Sequence, residues 1–184
     1  MSTKDINSFK PTKQQKFIMD TNVLIKLLYP AMSGKNTIPY EKLYQSIIGM
    51  QAKFIVSSIQ ISEFVNRCIR FQFDLWKKDQ DEETDIDFKH DYRNTEDYRE
   101  SMKAILEIIQ NDILPVSTCI DDRFCEMDTD KLYSYGFSYD FNDSLVSEIA
   151  RLNNAILITD DKDFGNYASY IEIVTDNKGL LMFH

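Results

Sequence analysis

Six acidic residues stand where carboxylates could do chemistry. Asp20 interrupts KFIMDTNVLIKLL (residues 16–28), so that one apolar run enters the carboxylate and a second leaves it. Glu63 lies in SSIQISEF, Asp140 and Asp143 stand three apart in DFNDSLV, and Asp160 and Asp161 follow the apolar run AILIT. A carboxylate in such a segment costs on the order of several kcal/mol unless it is paired, solvated or bound to a cation. Clustered carboxylates repel, and without a cation some must hold protons. A site of oxygens alone suits hard divalent ions, Mg2+ or Mn2+. Such ions bind phosphate, activate water and stabilise both oxygens of an in-line displacement, so phosphodiester hydrolysis is the chemistry favoured.

For these acids to meet, the elements must bring them to one edge. Residues 17–19 read as a short central strand, followed from Val23 by a helix ending near Pro30. AMSGKNTIPY is turn-rich, and residues 40–50 carry Leu43, Ile47 and Ile48 at helical spacing. A second strand at 54–56 leads into a helix that Ser57 or Ser58 can cap. Its stripe is Ile61, Phe64, Val65, Cys68, Phe71, Gln72 and Leu75, with Glu63, Arg67 and Arg70 on another face. Helical patterns follow at 97–111 and 123–133, with Pro115 and Val116 as a brief extended link. Asn142 or Ser138 can cap a helix carrying Leu145, Val146, Ile149, Ala150 and Leu152, and strands are expected at 155–159 and 171–174.

Short apolar strands alternating with helices predict an α/β fold, a three-layer sandwich around a mainly parallel sheet. Sites in such sheets form beyond the carboxyl ends of the strands. Asp20 and Asp160–Asp161 follow strands, Glu63 opens a helix after one, and Asp143 begins a helix, so four segments aim acids at one rim. Residues 1–15 are polar and aperiodic and are expected to form a loose leader to a single domain over 16–184. Within it, residues 77–95 form a charged helical insertion, whose part KKDQDEETDIDFKHD reads as a solvated connection.

The chain of 184 residues suffices for one sizeable core, and its net charge of −9 argues against tight, non-specific nucleic-acid binding by the bare protein. No stretch reaches membrane-spanning length and the start lacks a secretory core, so a cytoplasmic location is expected. Cys68, Cys119 and Cys125 show no metal-type spacing and read as reduced, buried filler. His90 sits in a charged loop and His184 is terminal, so neither gains a catalytic partner.

Each acid alone also has an ordinary role. Asp20 could cap a helix, Glu63 could pair with Arg67 at i+4, Asp143 could favour the helix dipole, and Asp160–Asp161 could form a turn. Arg67 and Arg70 could meet RNA phosphates or offset the nearby acids. Trp76 and the aromatics at 71–73 fit a core or a dimer interface.

In order and local context, Asp20 in IMDTNVLI, Glu63 in SSIQISEF, Asp143 in NDSLVSEIA and Asp161 in LITDDKDF resemble the four-acid pattern of PIN-domain nucleases. The resemblance spans roughly residues 16–175. It implies a PIN-like fold whose acids coordinate Mg2+ or Mn2+ and hydrolyse RNA. It further implies candidacy as a toxin ribonuclease neutralised by a partner antitoxin, with a homodimer possible. Asp20 would be the central metal ligand and Glu63, Asp143 and Asp161 the others, with Asn22 steadying Asp20 and Thr159 orienting the site. Asp140 and Asp160 are extra acids: supporting groups, ligands of a second ion, or surface. The interval between Glu63 and Asp143 is longer than in the smallest members, which leaves partner recognition and substrate access open.

Two other classes compete. One is a PIN-like binding module acting through a protein partner without cleaving RNA. The other is a phosphatase or an aspartyl-phosphate receiver, but Asn22 stands where a haloacid-type phosphatase needs a second aspartate.

Overall fold

In the computed structural model, residues 3–32, 37–80, 86–136 and 140–182 are described. The central strands form where apolar runs can be buried on both faces. They are β2 (Lys16–Met19), β3 (Lys53–Ser57) and β5 (Ala155–Ile158), buried except for the leading lysines of the first two. Among the described residues they join β1 (Thr3–Asp5), β4 (Ser117–Ile120) and β6 (Ile173–Thr175) in one parallel sheet, ordered β1-β6-β5-β2-β3-β4. Register sets Phe17 beside Phe54 and Ile156, and Met19 beside Ile158.

Alternate residues along each strand feed two cores. Phe17, Met19, Phe54, Val56, Ile156 and Ile158 face a layer formed by α1 (Thr21–Leu28), α2 (Ile38–Gly49), α3 (Ser58–Lys78) and α4 (Glu96–Ile108). Ile18, Ile55, Leu157 and Ile173 face α5 (Thr129–Gly136) and α6 (Phe141–Asn153). The result is a three-layer α/β sandwich, as the alternating pattern predicts.

The start of α3 is pinned to the centre of the sheet. The Gln60 side-chain oxygen accepts from the Ser57 backbone N–H at 3.1 Å, and its amide nitrogen donates to the carbonyl of Met19, the residue before Asp20. At the other flank Asp140 caps α6 by accepting from the Asn142 N–H at 2.9 Å. Asn154, left-handed at φ 49°, closes that helix directly before β5.

Several expectations are corrected. Residues 1–15 are no loose leader throughout: Thr3–Asp5 pairs with Ile173–Thr175, and Ile6 is buried. An edge strand satisfies its backbone on one side only and needs no apolar period, so nothing in its composition announces it. The connection after α3 is not wholly solvated. Phe88 and Tyr92 are buried in an aromatic cluster with Phe73, Trp76 and Tyr98, because these rings reach back onto α3 and forward onto α4. Residues 114–116 form a tight helical turn rather than an extended link, and the extended segment is the exposed strand β4 that follows. The helix expected over 123–133 divides into a short turn at Phe124–Glu126 and α5, with Arg123 left-handed at φ 54° before them. Cys68 is buried, whereas Cys119 and Cys125 are exposed on β4 and in that turn. Ser138 and His184 lie outside the described residues.

Candidate active site

The adjacency of β5, β2 and β3 brings the acids together. Asp20 leaves β2 still attached to the sheet, its N–H donating to the Ile158 carbonyl of β5 at 2.9 Å. Thr159, the first residue beyond β5, donates its hydroxyl to Asp20 Oδ2 at 2.9 Å. The same hydroxyl accepts from the Asp161 N–H at 3.0 Å, so one buried threonine orients both aspartates. Asn22 donates to Asp161 Oδ2 at 3.4 Å and accepts from Arg67 at 2.6 Å. Thr21 donates to Glu63 Oε2 at 3.0 Å, and Arg67 stands 3.7 Å from Glu63 Oε1. Residues 20–22, 63–67 and 159–161 are therefore bound in one network.

Electrostatics bring in the fourth acid. Asp20 is 4% exposed. Burial is the main cause that pushes its carboxyl up to about 6, with repulsion from Glu63 adding and hydrogen bonds from Thr159 and Asn22 opposing. Asp143, half-buried in the first turn of α6, is pushed up to about 8 by burial and then by Asp20, Asp140, Asp161 and Glu63. Each of those carboxylates is close enough to raise the cost of ionising Asp143. Arg67 is the cation of this network, and the ligand atoms its acids offer are oxygens. As the side chains stand, no group of three or more acidic, histidine or cysteine residues among the described residues is arranged to hold a metal ion.

The supporting acids have separate tasks. Asp140 caps α6 and raises the neighbouring Asp143. Asp160 is occupied by the Tyr40 hydroxyl at 2.7 Å and by an ion pair to Lys26, while Asn177 holds its backbone carbonyl at 2.6 Å. It clamps the loop that carries Thr159 and Asp161. The two arginines also part. Arg67 lies in the network, whereas Arg70 stacks over the Phe88 ring, 3.9 Å from its centroid.

Two open depressions flank the acids. One, of about 310 Å3, is lined by Asn22, Lys26, Arg67, Asp160, Asp161 and Lys162 among others. The other, of about 490 Å3, is lined by Ser58, Ser62, Glu63, Asn66, Asn142 and Leu145 together with Ile59. Asp161 lines the first depression and Glu63 the second, while the raised carboxyls of Asp20 and Asp143 line neither.

Residues 17–170 match the family profile described as the PIN domain. The chain belongs to the PIN-domain family. Among solved structures, this PIN domain resembles a chain of VapBC2 from Rickettsia felis, solved bound to a DNA fragment from their promoter. The TM-score is 0.50 at 17% identity, covering 88% of this chain and 98% of that one. A chain of FitAcB from Neisseria gonorrhoeae gives a TM-score of 0.49 at 14% identity, covering 86% and 96%. Comparison with curated protein sequences returns no match.

Sequence reasoning missed Thr21, Lys26, Tyr40 and Asn177 in this PIN domain. Thr21 adjoins Asp20 and was within reach of motif reading. Tyr40 and Asn177 lie far along the chain from Asp160 and gave no local signal.

Proposed function

We propose that this PIN domain is a metal-dependent endoribonuclease that hydrolyses RNA phosphodiester bonds at the rim of Asp20, Glu63, Asp143 and Asp161. The observation that carries the reading is the convergence of four distant segments: the acids of three share one hydrogen-bonded network, and all three act on Asp143 in the fourth. The four acids fit Mg2+ or Mn2+ in their chemistry, being oxygen donors that outnumber the one arginine, Arg67, in their network. Asp20, Glu63, Asp143 and Asp161 would hold the ion. Bound there, it would supply an activated water and neutralise phosphate charge.

The chain's own residues set the stage for that chemistry. Thr159 fixes the Asp20 and Asp161 loops relative to one another, and Asn22 links Asp161 to Arg67. Arg67, half-exposed beside Glu63, offers a cation to an RNA phosphate. Burial, and then Asp20, Asp140, Asp161 and Glu63, push the Asp143 carboxyl up to about 8, higher than that of Asp20 at about 6. The family resemblance supports a further reading, that the protein is the toxin of a pair restrained by an antitoxin. VapBC2 from Rickettsia felis, one of the solved structures of similar fold, is bound to a DNA fragment from their promoter.

Cleavage of RNA in Mg2+ or Mn2+ tests the proposal. Chelation is expected to stop it, and Asp20→Asn to lower it at least about a hundredfold with unchanged circular dichroism. If the Asp20→Asn variant cut RNA at the parent rate, the reading would be sunk. A second reading, a binding module without nuclease activity, draws on the lack of a ready ligating trio among the described residues. Calorimetric titration with Mn2+ separates the two, since a scaffold need take up no ion.

A further inference from the structure

We infer that Phe141 and Tyr133 form a nucleobase-stacking subsite beside the acidic rim, holding one base of a single-stranded RNA next to the bond that is cut. The inference rests on the endoribonuclease reading and adds to it a binding surface for the substrate's bases.

The two rings come from different helices, Tyr133 from α5 and Phe141 from the first turn of α6. They lie near-parallel, with centroids 6.3 Å apart and planes inclined by 25°. Both remain open to solvent, at 59% and 40% exposure. Isolated exposed aromatics are ordinary, but a stacked, solvent-exposed pair with one ring on the helix that carries Asp143 has a specific use, since a base can extend the stack. Phe141 precedes Leu145 by one helical turn, which sets the two side chains on the same face of α6. Leu145 in turn lines the depression that contains Glu63 and Asn142. A base on the ring pair would therefore adjoin that depression, two residues along the chain from Asp143.

The chemistry of the two flanks supports a base on this side. Apart from Glu63, the polar groups here are the hydroxyls of Ser58 and Ser62 and the amides of Asn66 and Asn142. These can donate to and accept from base edges and ribose hydroxyls but bring no charge for a phosphate. The cations line the other depression, where Lys26, Arg67 and the exposed Lys162 stand, Arg67 lying 3.7 Å from Glu63. A single strand crossing the rim would rest its phosphates on one flank and a base on the other. A duplex keeps its bases stacked within itself, so the ring pair selects an unpaired segment. Two rings set among polar groups are also far smaller than the roughly 800 Å2 per partner of a stable protein interface.

The test measures binding of a fluorescent single-stranded octaribonucleotide to the full-length Asp20→Asn protein by anisotropy, so that cleavage does not intervene. Phe141→Ala is expected to weaken binding roughly tenfold to a hundredfold. Phe141→Tyr should restore it, and Phe141→Leu, which keeps the apolar bulk without a π-face, should not. Removing single bases from the octamer should reveal one position whose loss matches that of Phe141→Ala and does not add to it. Tyr133→Leu carries the same comparison from the other ring if Phe141→Ala unfolds. Binding left unchanged by Phe141→Ala or by Phe141→Leu, or no octamer binding by the parent, overturns the subsite and leaves the rings to a protein contact. Absence of RNA cleavage by the parent chain would instead defeat the endoribonuclease reading, and the octamer measurement distinguishes the two.

Discussion

Asp20 and Asp143 carry the same functional group in the same rim, yet they differ in how they are held. Asp20 is gripped by Thr159 and is pushed up to about 6, whereas Asp143 has four acidic neighbours and reaches about 8. Both folded values lie above the ordinary 3.8, so between these limits the native state binds more protons than the unfolded chain. Their contribution to stability is full below about 3.8 and is lost as pH rises through about 6 and then about 8. A cation bound there, as the proposed function requires, would replace the protons. Metal-free protein is accordingly expected to melt lower at pH 8 than at pH 6, with Mn2+ reversing the trend. Mn2+ binding at pH 7 should release protons, read as a binding heat that varies with the buffer's ionisation enthalpy. A heat independent of buffer would contradict the raised values.

At this scale Asp20 and Asp161 stand where apolar strands end, and Glu63 in the second turn of the helix after one. Asp143 stands in the first turn of a helix that, among the described residues, no strand directly precedes, so the signal in the sequence weakens in that order. Asp160 and Asp161 follow the same strand, and only the family resemblance set Asp161 in the acid pattern and Asp160 beside it. Their roles are divided by Tyr40 and Lys26, which arrive from α2 and α1.

Among the elements, α6 is the one whose placement matters most, since it carries Asp143 and Phe141 and is buried from Ser144 to Ala150. Packing of Leu145, Val146, Ile149 and Ala150 supplies the apolar part. Its polar anchor is Glu148, 5% exposed, which accepts two hydrogen bonds from Arg151 at 2.8 and 2.7 Å. It also accepts from the Asp128 N–H at 2.9 Å, tying α6 to the segment that enters α5. Burial pushes the Glu148 carboxyl up, but these partners outweigh it and its folded value falls below the ordinary 4.5. The stabilisation is therefore present above about 4.5 and lost as pH falls through the lower folded value. Glu148→Gln is expected to cost about 1–3 kcal/mol in urea unfolding at pH 7. The deficit should shrink toward pH 3. A deficit that stays constant with pH would mean that packing, not the ionised carboxylate, holds the helix.

The elements differ in legibility for a related reason. β2, β3 and β5 are buried on both faces and read as unbroken apolar runs. β1 and β4 lie at the two edges with largely exposed side chains, so their sequences follow no strand pattern. The aromatic cluster around Tyr92 was hidden in a charged segment because, among its described residues, Phe88 and Tyr92 are buried and Ile86 partly so while charged neighbours stay exposed. Arg70 and Arg93 cover the Phe88 ring from the solvent side.

Across the whole molecule, the strand order β5-β2-β3 is what makes one rim of residues 20, 63, 143 and 161, and no local pattern specifies that order. The sequence announced a parallel sheet and left the neighbours of each strand open. Charge, by contrast, is fully visible in composition, and it sets the terms on which this chain can meet RNA. With a net charge of −9 and a rim of carboxylates, long-range attraction to phosphate is weak. Near the acids, Lys26 is held closely by Asp160 and Arg67 more loosely, 3.7 Å from Glu63, so among the described residues Arg67 and the exposed Lys162 are the cleft-lining cations most open to a phosphate. Each phosphate neutralised on a single strand contributes about −0.7 to the slope of log affinity against log salt. Octaribonucleotide binding should therefore follow a slope between about −0.7 and −1.4, shallow for a nucleic-acid-binding protein. Stacking and hydrogen bonding, which salt scarcely touches, would supply the remainder. Anisotropy over roughly 50 to 200 mM salt measures this, and a slope steeper than about −3 would place the main phosphate contacts on a basic surface away from the rim.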